Sequence, residues 1–146
     1  MRIEPMTSAH VAQVAELEKL CFSDPWSENS VASELNNGLS LWLVALKDER
    51  VVGYVGSQSV LGESDMMNVA VHPDYRRQGI AEKLVNELAA ALKKRGNHCL
   101  SLEVRASNEP AQKLYEKLGF RQVGRRPNYY RNPKEDACIL RKEWEI

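Results

Sequence analysis

Apolar positions recur along this chain with two different periods. From Ile80 to Arg95, Ala81, Leu84, Val85, Leu88 and Leu92 fall on one helical face, and Gly96 stops the pattern. Nearer the start, Val11, Val14, Ala15 and Leu17 lie broadly on one side of a helix expected from about Ser8 to Leu20, after a short strand near Arg2–Glu4. A second, shorter helix opens at Ser27 as N-cap and closes before Gly38. Leu41–Leu46 and Val51–Val60 are apolar runs joined by polar Lys47–Arg50, which predicts a hairpin. Met66–Val71 reads as a buried strand, closed by His72-Pro73-Asp74-Tyr75. Leu100, Leu102 and Val104 alternate with Ser101, Glu103 and Arg105, so this strand has one polar face. Pro110–Leu118 predicts a helix with proline in its first turn and Gly119 just past its end. Phe120–Gly124 and Ala137–Trp144 close the chain as two strands around a polar loop. Strands and helices mixed in this order predict an α/β fold, a mixed sheet with helices on its faces.

Composition narrows the possibilities. The 146 residues suit one domain, 1–146, with a core that needs no metal or disulfide staple. Lys plus Arg equals Asp plus Glu at 20 each, so no overall positive field points to nucleic acid or an anionic membrane. No apolar run approaches the ~18 residues of a spanning helix, and the first residues lack the apolar core of a signal peptide. Cys21, Cys99 and Cys138 are widely spaced and odd in number, and His10, His72 and His98 show no ligand spacing. Neither a disulfide framework nor a metal site is expected, and a reducing cytoplasm fits best.

Candidate chemistry begins at Arg76-Arg77-Gln78-Gly79-Ile80-Ala81, between the Met66–Val71 strand and the long helix. A glycine-containing turn at that place leaves the first helical N–H groups unpaired. With the positive end of the helix dipole they form an anion site suited to phosphate. Gly79 lets the backbone approach a ligand, and Arg76 and Arg77 add cationic donors. Three later places are ambiguous one by one. Glu103 stands on what reads as a solvated strand face. Asn108 is either a helix cap or a ligand contact. Tyr115 shares a helical stripe with Ala111, Leu114 and Leu118, where most tyrosines are core residues.

Taken in order, these pieces resemble the GNAT superfamily of acetyl-CoA-dependent N-acetyltransferases over essentially the full chain. Arg76-x-x-Gly79-x-Ala81 matches its pyrophosphate loop, Asn68-Val69-Ala70-Val71 the strand that pairs with the pantetheine arm, and Asn108 with Ala111-x-x-Leu114-Tyr115-x-x-x-Gly119-Phe120 its second helix and the turn beyond. Cys21-Phe22-Ser23-Asp24-Pro25-Trp26-Ser27, Leu102–Asn108, and Asn128-Tyr129-Tyr130 with Glu135-Asp136-Ala137 further resemble the bacterial ribosomal-protein-alanine N-acetyltransferases.

The resemblance implies a GNAT-like fold and acetyl-CoA as co-substrate, bound by Val69, Ala70, Val71, Arg76, Arg77, Gln78, Gly79, Ile80, Ala81, Glu82 and Asn108. It implies Glu103 as general base and Tyr115 as general acid. Its acceptor would be the N-terminus of a ribosomal protein, in a groove between the Cys21–Ser27 segment and the Asn128–Tyr130 loop, with Trp26, Tyr129 and Tyr130 as walls. Glu82 departs from the commoner pattern, because a carboxylate in the first turn repels phosphate; it is expected to act through its backbone N–H. A monomer or a weakly associating homo-oligomer is expected. A lysine or small amine as acceptor, and a non-catalytic acetyl-CoA-binding module, stand as alternatives.

Overall fold

The computed structural model describes residues 1–144. Seven strands form one sheet in the order β1-β2-β3-β4-β5-β7-β6. They are β1 (Arg2–Pro5), β2 (Ser40–Lys47), β3 (Arg50–Val60), β4 (Glu63–Val71), β5 (Cys99–Arg105), β6 (Arg121–Tyr130) and β7 (Glu135–Glu143). Among the described residues, four α-helices accompany them: α1 (Val11–Cys21), α2 (Glu28–Ser33), α3 (Ile80–Lys94) and α4 (Glu109–Lys117). All neighbouring strands are antiparallel except β4 and β5, which are parallel and connected through α3. The expected α/β architecture with a mixed sheet is the observed one.

The apolar run of β2 explains the two-layered core. Leu41, Leu43 and Ala45 point to one face, where they join Leu84, Val85, Leu88 and Leu92 of α3 and Tyr115 and Leu118 of the α4 region. Trp42, Val44 and Leu46 point to the other, where they join Val11, Val14 and Leu17 of α1 and Val31 of α2. Alternation along a strand buried on both faces therefore yields two cores from one uninterrupted hydrophobic stretch. The β2–β3 hairpin turns through Asp48 and Glu49, both with positive φ (49° and 64°), the backbone that matches strand twist in a two-residue turn. Ser27 caps α2 as expected, its hydroxyl accepting from the Ser30 N–H at 3.0 Å.

The C-terminal strands differ from expectation. In place of strands separated by a polar loop from 125 to 136, β6 runs on to Tyr130 and β7 starts at Glu135. Asn128, Tyr129 and Tyr130 thus belong to the end of a strand and not to a loop. The physical reason is that β6 is an edge strand, exposed along most of its length, so pairing with β7 orders it without apolar alternation. An edge position also tolerates Pro127, which has no N–H to offer. Its register shifts between Arg126 and Tyr130, where Asn128 takes φ 54°. The Asp136 carboxylate bridges that irregularity by accepting from the Asn128 N–H and from Arg125 Nε, both at 2.8 Å.

Candidate active site

The loop before α3 has the conformation an anion site needs. Arg77 and Gly79 both take positive φ (64° and 76°), and Gly79 is the N-cap of α3 without any side-chain cap. The helical ladder begins with the Lys83 N–H donating to the Gly79 carbonyl at 3.1 Å. The N–H groups of the first turn, Ile80, Ala81 and Glu82, precede that ladder and carry the positive end of the helix dipole. A side chain at Gly79 would meet nothing within 4 Å, so the space over the loop is open. The Glu82 carboxylate pairs with Lys117 of α4 at 3.2 Å, and this ion pair offsets the charge that would repel a phosphate. Arg76 folds back: its Nε donates to the Val71 carbonyl at 3.1 Å, and its Nη2 lies 3.5 Å from Cys21 Sγ. Its guanidinium is thereby tied to the end of β4, while Arg77 and Gln78 are exposed.

The sheet opens beside this loop. Pairing of β4 with β5 covers only Glu63–Asp65 against Cys99–Ser101, and beyond it the two strands have no ladder. On its other edge β4 remains paired with β3, where the His72 N–H donates to the Val52 carbonyl at 2.8 Å. Antiparallel alternation then turns the N–H groups of Val71 and Val69, opposite Gly53 and Val55, away from β3 and into the gap. Ala70 points its side chain into the α1-side core and Val71 into the α3-side core.

Glu103 and Tyr115 reach this region from opposite sides. Leu102 and Val104 of β5 face the α3 core, so Glu103 lies on the other face, where its carboxylate is 3.4 Å from Arg126 Nε. Tyr115 comes from the α3 side, edge-on to Phe120 at 5.5 Å, with its hydroxyl 4.0 Å from Met66 Sδ on β4. A thioether is a weak acceptor, which leaves the phenolic proton available. Burial, with a smaller contribution from neighbouring Tyr130, pushes the Tyr115 phenol up to about 12, so it is protonated at neutral pH. Tyr130 is likewise pushed up to about 12, by burial first and then by Glu103 and Tyr129, opposed by Arg105, whose guanidinium sits 4.4 Å above its ring. Arg126 lies over Tyr129, whose ring meets that of Tyr130 edge-on at 5.1 Å. Asn108 caps α4, its side-chain oxygen accepting from the Ala111 N–H at 3.2 Å.

Trp26 lies on the α1 side of the sheet, its ring edge-on to Trp42 of β2 at 5.4 Å and partly exposed. What holds it there escaped the reading of the sequence. Glu18 is fully buried, and its carboxylate accepts from the Trp26 backbone N–H at 2.8 Å, from Asn68 Nδ2 at 2.9 and 3.1 Å, and from the Tyr54 hydroxyl. A signal existed: Val11, Val14 and Glu18 stand at i, i+3 and i+7, so a charge occupies the apolar stripe of α1.

The model of the acetyltransferase (GNAT) family matches residues 11–120. The [ribosomal protein bS18]-alanine N-acetyltransferase of Escherichia coli (strain K12) is 38% identical over 143 residues, covering 94% of each chain. That of Haemophilus ducreyi is 35% identical, covering 94% of this chain and 97% of its own. The crystal structure of the ribosomal-protein-S18-alanine N-acetyltransferase from E. coli superimposes with a TM-score of 0.91 at 35% identity, over 99% of this chain and 94% of that one. Arabidopsis thaliana NAA60 in complex with acetyl-CoA shares the fold at 19% identity, with a TM-score of 0.88 over 97% of each chain. An opened parallel strand pair, an uncapped helix start beside it and a family match over three quarters of the residues agree: the chain belongs to the acetyltransferase (GNAT) family.

Proposed function

We propose that this acetyltransferase moves the acetyl group of acetyl-CoA to the N-terminal α-amino group of a protein, the N-terminal alanine of a small-subunit ribosomal protein. The observation that carries the mechanism is the placement of Glu103 and Tyr115 on opposite faces of the sheet beside the β4–β5 gap. The acceptor is argued from the relatives at 35–38% identity, which act on the alanine of ribosomal protein bS18.

The diphosphate of acetyl-CoA would lie over the Arg77–Glu82 backbone, with its pantetheine arm along β4. Asn108, occupied as a cap, would contribute from its exposed side. An N–H of Val69 or Val71 would hold the thioester oxygen as negative charge develops on it. The acceptor nitrogen attacks the carbonyl carbon and loses its proton to Glu103, directly or through one water. The C–S bond then breaks, and the Tyr115 hydroxyl protonates the departing sulfur to give free thiol. An α-amino group with a pKa of about 8 is neutral in roughly a tenth of molecules at pH 7, whereas lysine is so in fewer than about one in a thousand. A single carboxylate suffices for the former. Arg126 Nε, 3.4 Å from Glu103, occupies a place that a nitrogen donor of the acceptor would take.

Incubation with acetyl-CoA and a peptide panel, monitored by released thiol, tests this. Turnover is expected with peptides that begin with alanine and carry a free N-terminus. Turnover confined to N-blocked peptides containing lysine would transfer the activity to side-chain amines, and acetyl-CoA binding without turnover on any amine would leave a binding module.

A further inference from the structure

Glu18 is a carboxylate with no solvent exposure, surrounded by donors from three separate elements: Tyr54 of β3, Asn68 of β4, and the backbone of Trp26 between α1 and α2. Every partner donates, which matches an acceptor-only carboxylate with its four lone-pair sites. Burying such a group costs free energy, and a wholly apolar packing of Glu18 and its partners would serve stability as well or better. Its return has to be sought in what it aligns.

We propose that Glu18 is a positioning residue for the acceptor groove, setting the distance and orientation of Trp26 against β4 where Asn68 precedes the Val69–Val71 rim. This rests on the acceptor reading given above. One carboxylate oxygen, Oε1, is shared by the Trp26 N–H and Asn68, while Oε2 takes Asn68 and Tyr54. The wall and the strand whose N–H groups would hold the thioester oxygen are thereby referred to one rigid point. The stacking of Trp42 on Tyr54, with Trp26 edge-on to Trp42, extends the same alignment into the aromatic layer beneath. Glu18 makes no bond to the Arg76–Glu82 loop, where the diphosphate would lie, so a misaligned Trp26 should read out in the peptide KM while the diphosphate contacts stay in place.

Glu18→Gln keeps the shape but turns an NH2 group toward partners that themselves donate. We expect the KM for an alanine-initiated peptide to rise 10-fold or more, while the calorimetric affinity for acetyl-CoA stays within 2-fold of wild type. Amide hydrogen exchange should quicken within Cys21–Ser27 and not in α3 or β5. Asn68→Ser, which keeps the Trp26 and Tyr54 bonds, should show a smaller rise in KM and serves if the first variant does not fold. An unchanged KM in a folded variant, or equal losses in peptide KM and acetyl-CoA affinity, would overturn the positioning role alone. A wild-type protein that turns over no peptide would overturn the acceptor reading and the groove with it.

Discussion

Tyr115 sits on the apolar stripe of α4 with Leu114 and Leu118 in or against the core, yet its hydroxyl faces a weakly accepting thioether beside the β4–β5 gap. Core packing and proton donation make different predictions for Tyr115→Phe. Removing only the donor should lower kcat roughly 10²-fold, the scale of a lost general acid, with acetyl-CoA affinity and thermal stability nearly unchanged. Steady-state kinetics with a melting curve decide it, and a folded variant with wild-type turnover would end the assignment. The raised phenol adds a pH signature. Its native value of about 12 exceeds the ordinary 10.0, so the neutral form stabilises the fold fully below pH 10 and that contribution fades as pH rises through 12. Tyr115→Phe should therefore flatten the alkaline fall in stability. Glu103 is tested by pH as well: Glu103→Gln should lose most kcat/KM at neutral and acidic pH, with the deficit shrinking as the amine deprotonates unaided. A loss constant from pH 6 to 9 would reduce Glu103 to positioning the substrate.

The turn into α3 is a conformational device as much as a chemical one. Gly79 combines φ 76° with open space where a Cβ would lie. A β-branched residue there would strain the left-handed backbone and fill the approach to the first-turn N–H groups. Gly79→Val is thus expected to weaken acetyl-CoA binding 10-fold or more, about 1.4 kcal/mol, in isothermal titration; unchanged affinity in a folded variant would remove the loop from the site. The loop was legible in the sequence because its conformation comes from local backbone geometry: a strand, a glycine, then an amphipathic helix. The neutralisation of Glu82 was not, because Lys117 is 35 positions away and only the docking of α4 against α3 brings them together.

Across the molecule, the end of β6 and β7 depends on carboxylates held in their charged form. The Asn128 N–H and Arg125 keep the Asp136 carboxyl below its ordinary range, and bonds from Ser107, followed by Arg105, do the same for Glu135. Because the native values are lowered, the stabilisation is present above the ordinary carboxylate range and is lost as pH falls through the lowered ones. Acidification should loosen Tyr129 and Tyr130 before the α3 core, seen as earlier amide exchange in β6 and β7; simultaneous opening of both regions would refute it. The extent of β6 was invisible to pattern because an edge strand needs no apolar alternation, and its polar residues read as a loop. Glu18 was hidden for a different reason: two of its donors come from 36 and 50 positions away. By itself the sequence determined most of the elements and the turn into α3, since those follow from periods of 2 and 3.6 and from a glycine between a strand and a helix. Only the tertiary structure decided that β4 and β5 part beyond Asp65, that Glu103 and Tyr115 approach from opposite faces, and that a buried carboxylate ties Trp26 to the strand. These are relations between residues distant in the chain, and no local periodicity encodes them.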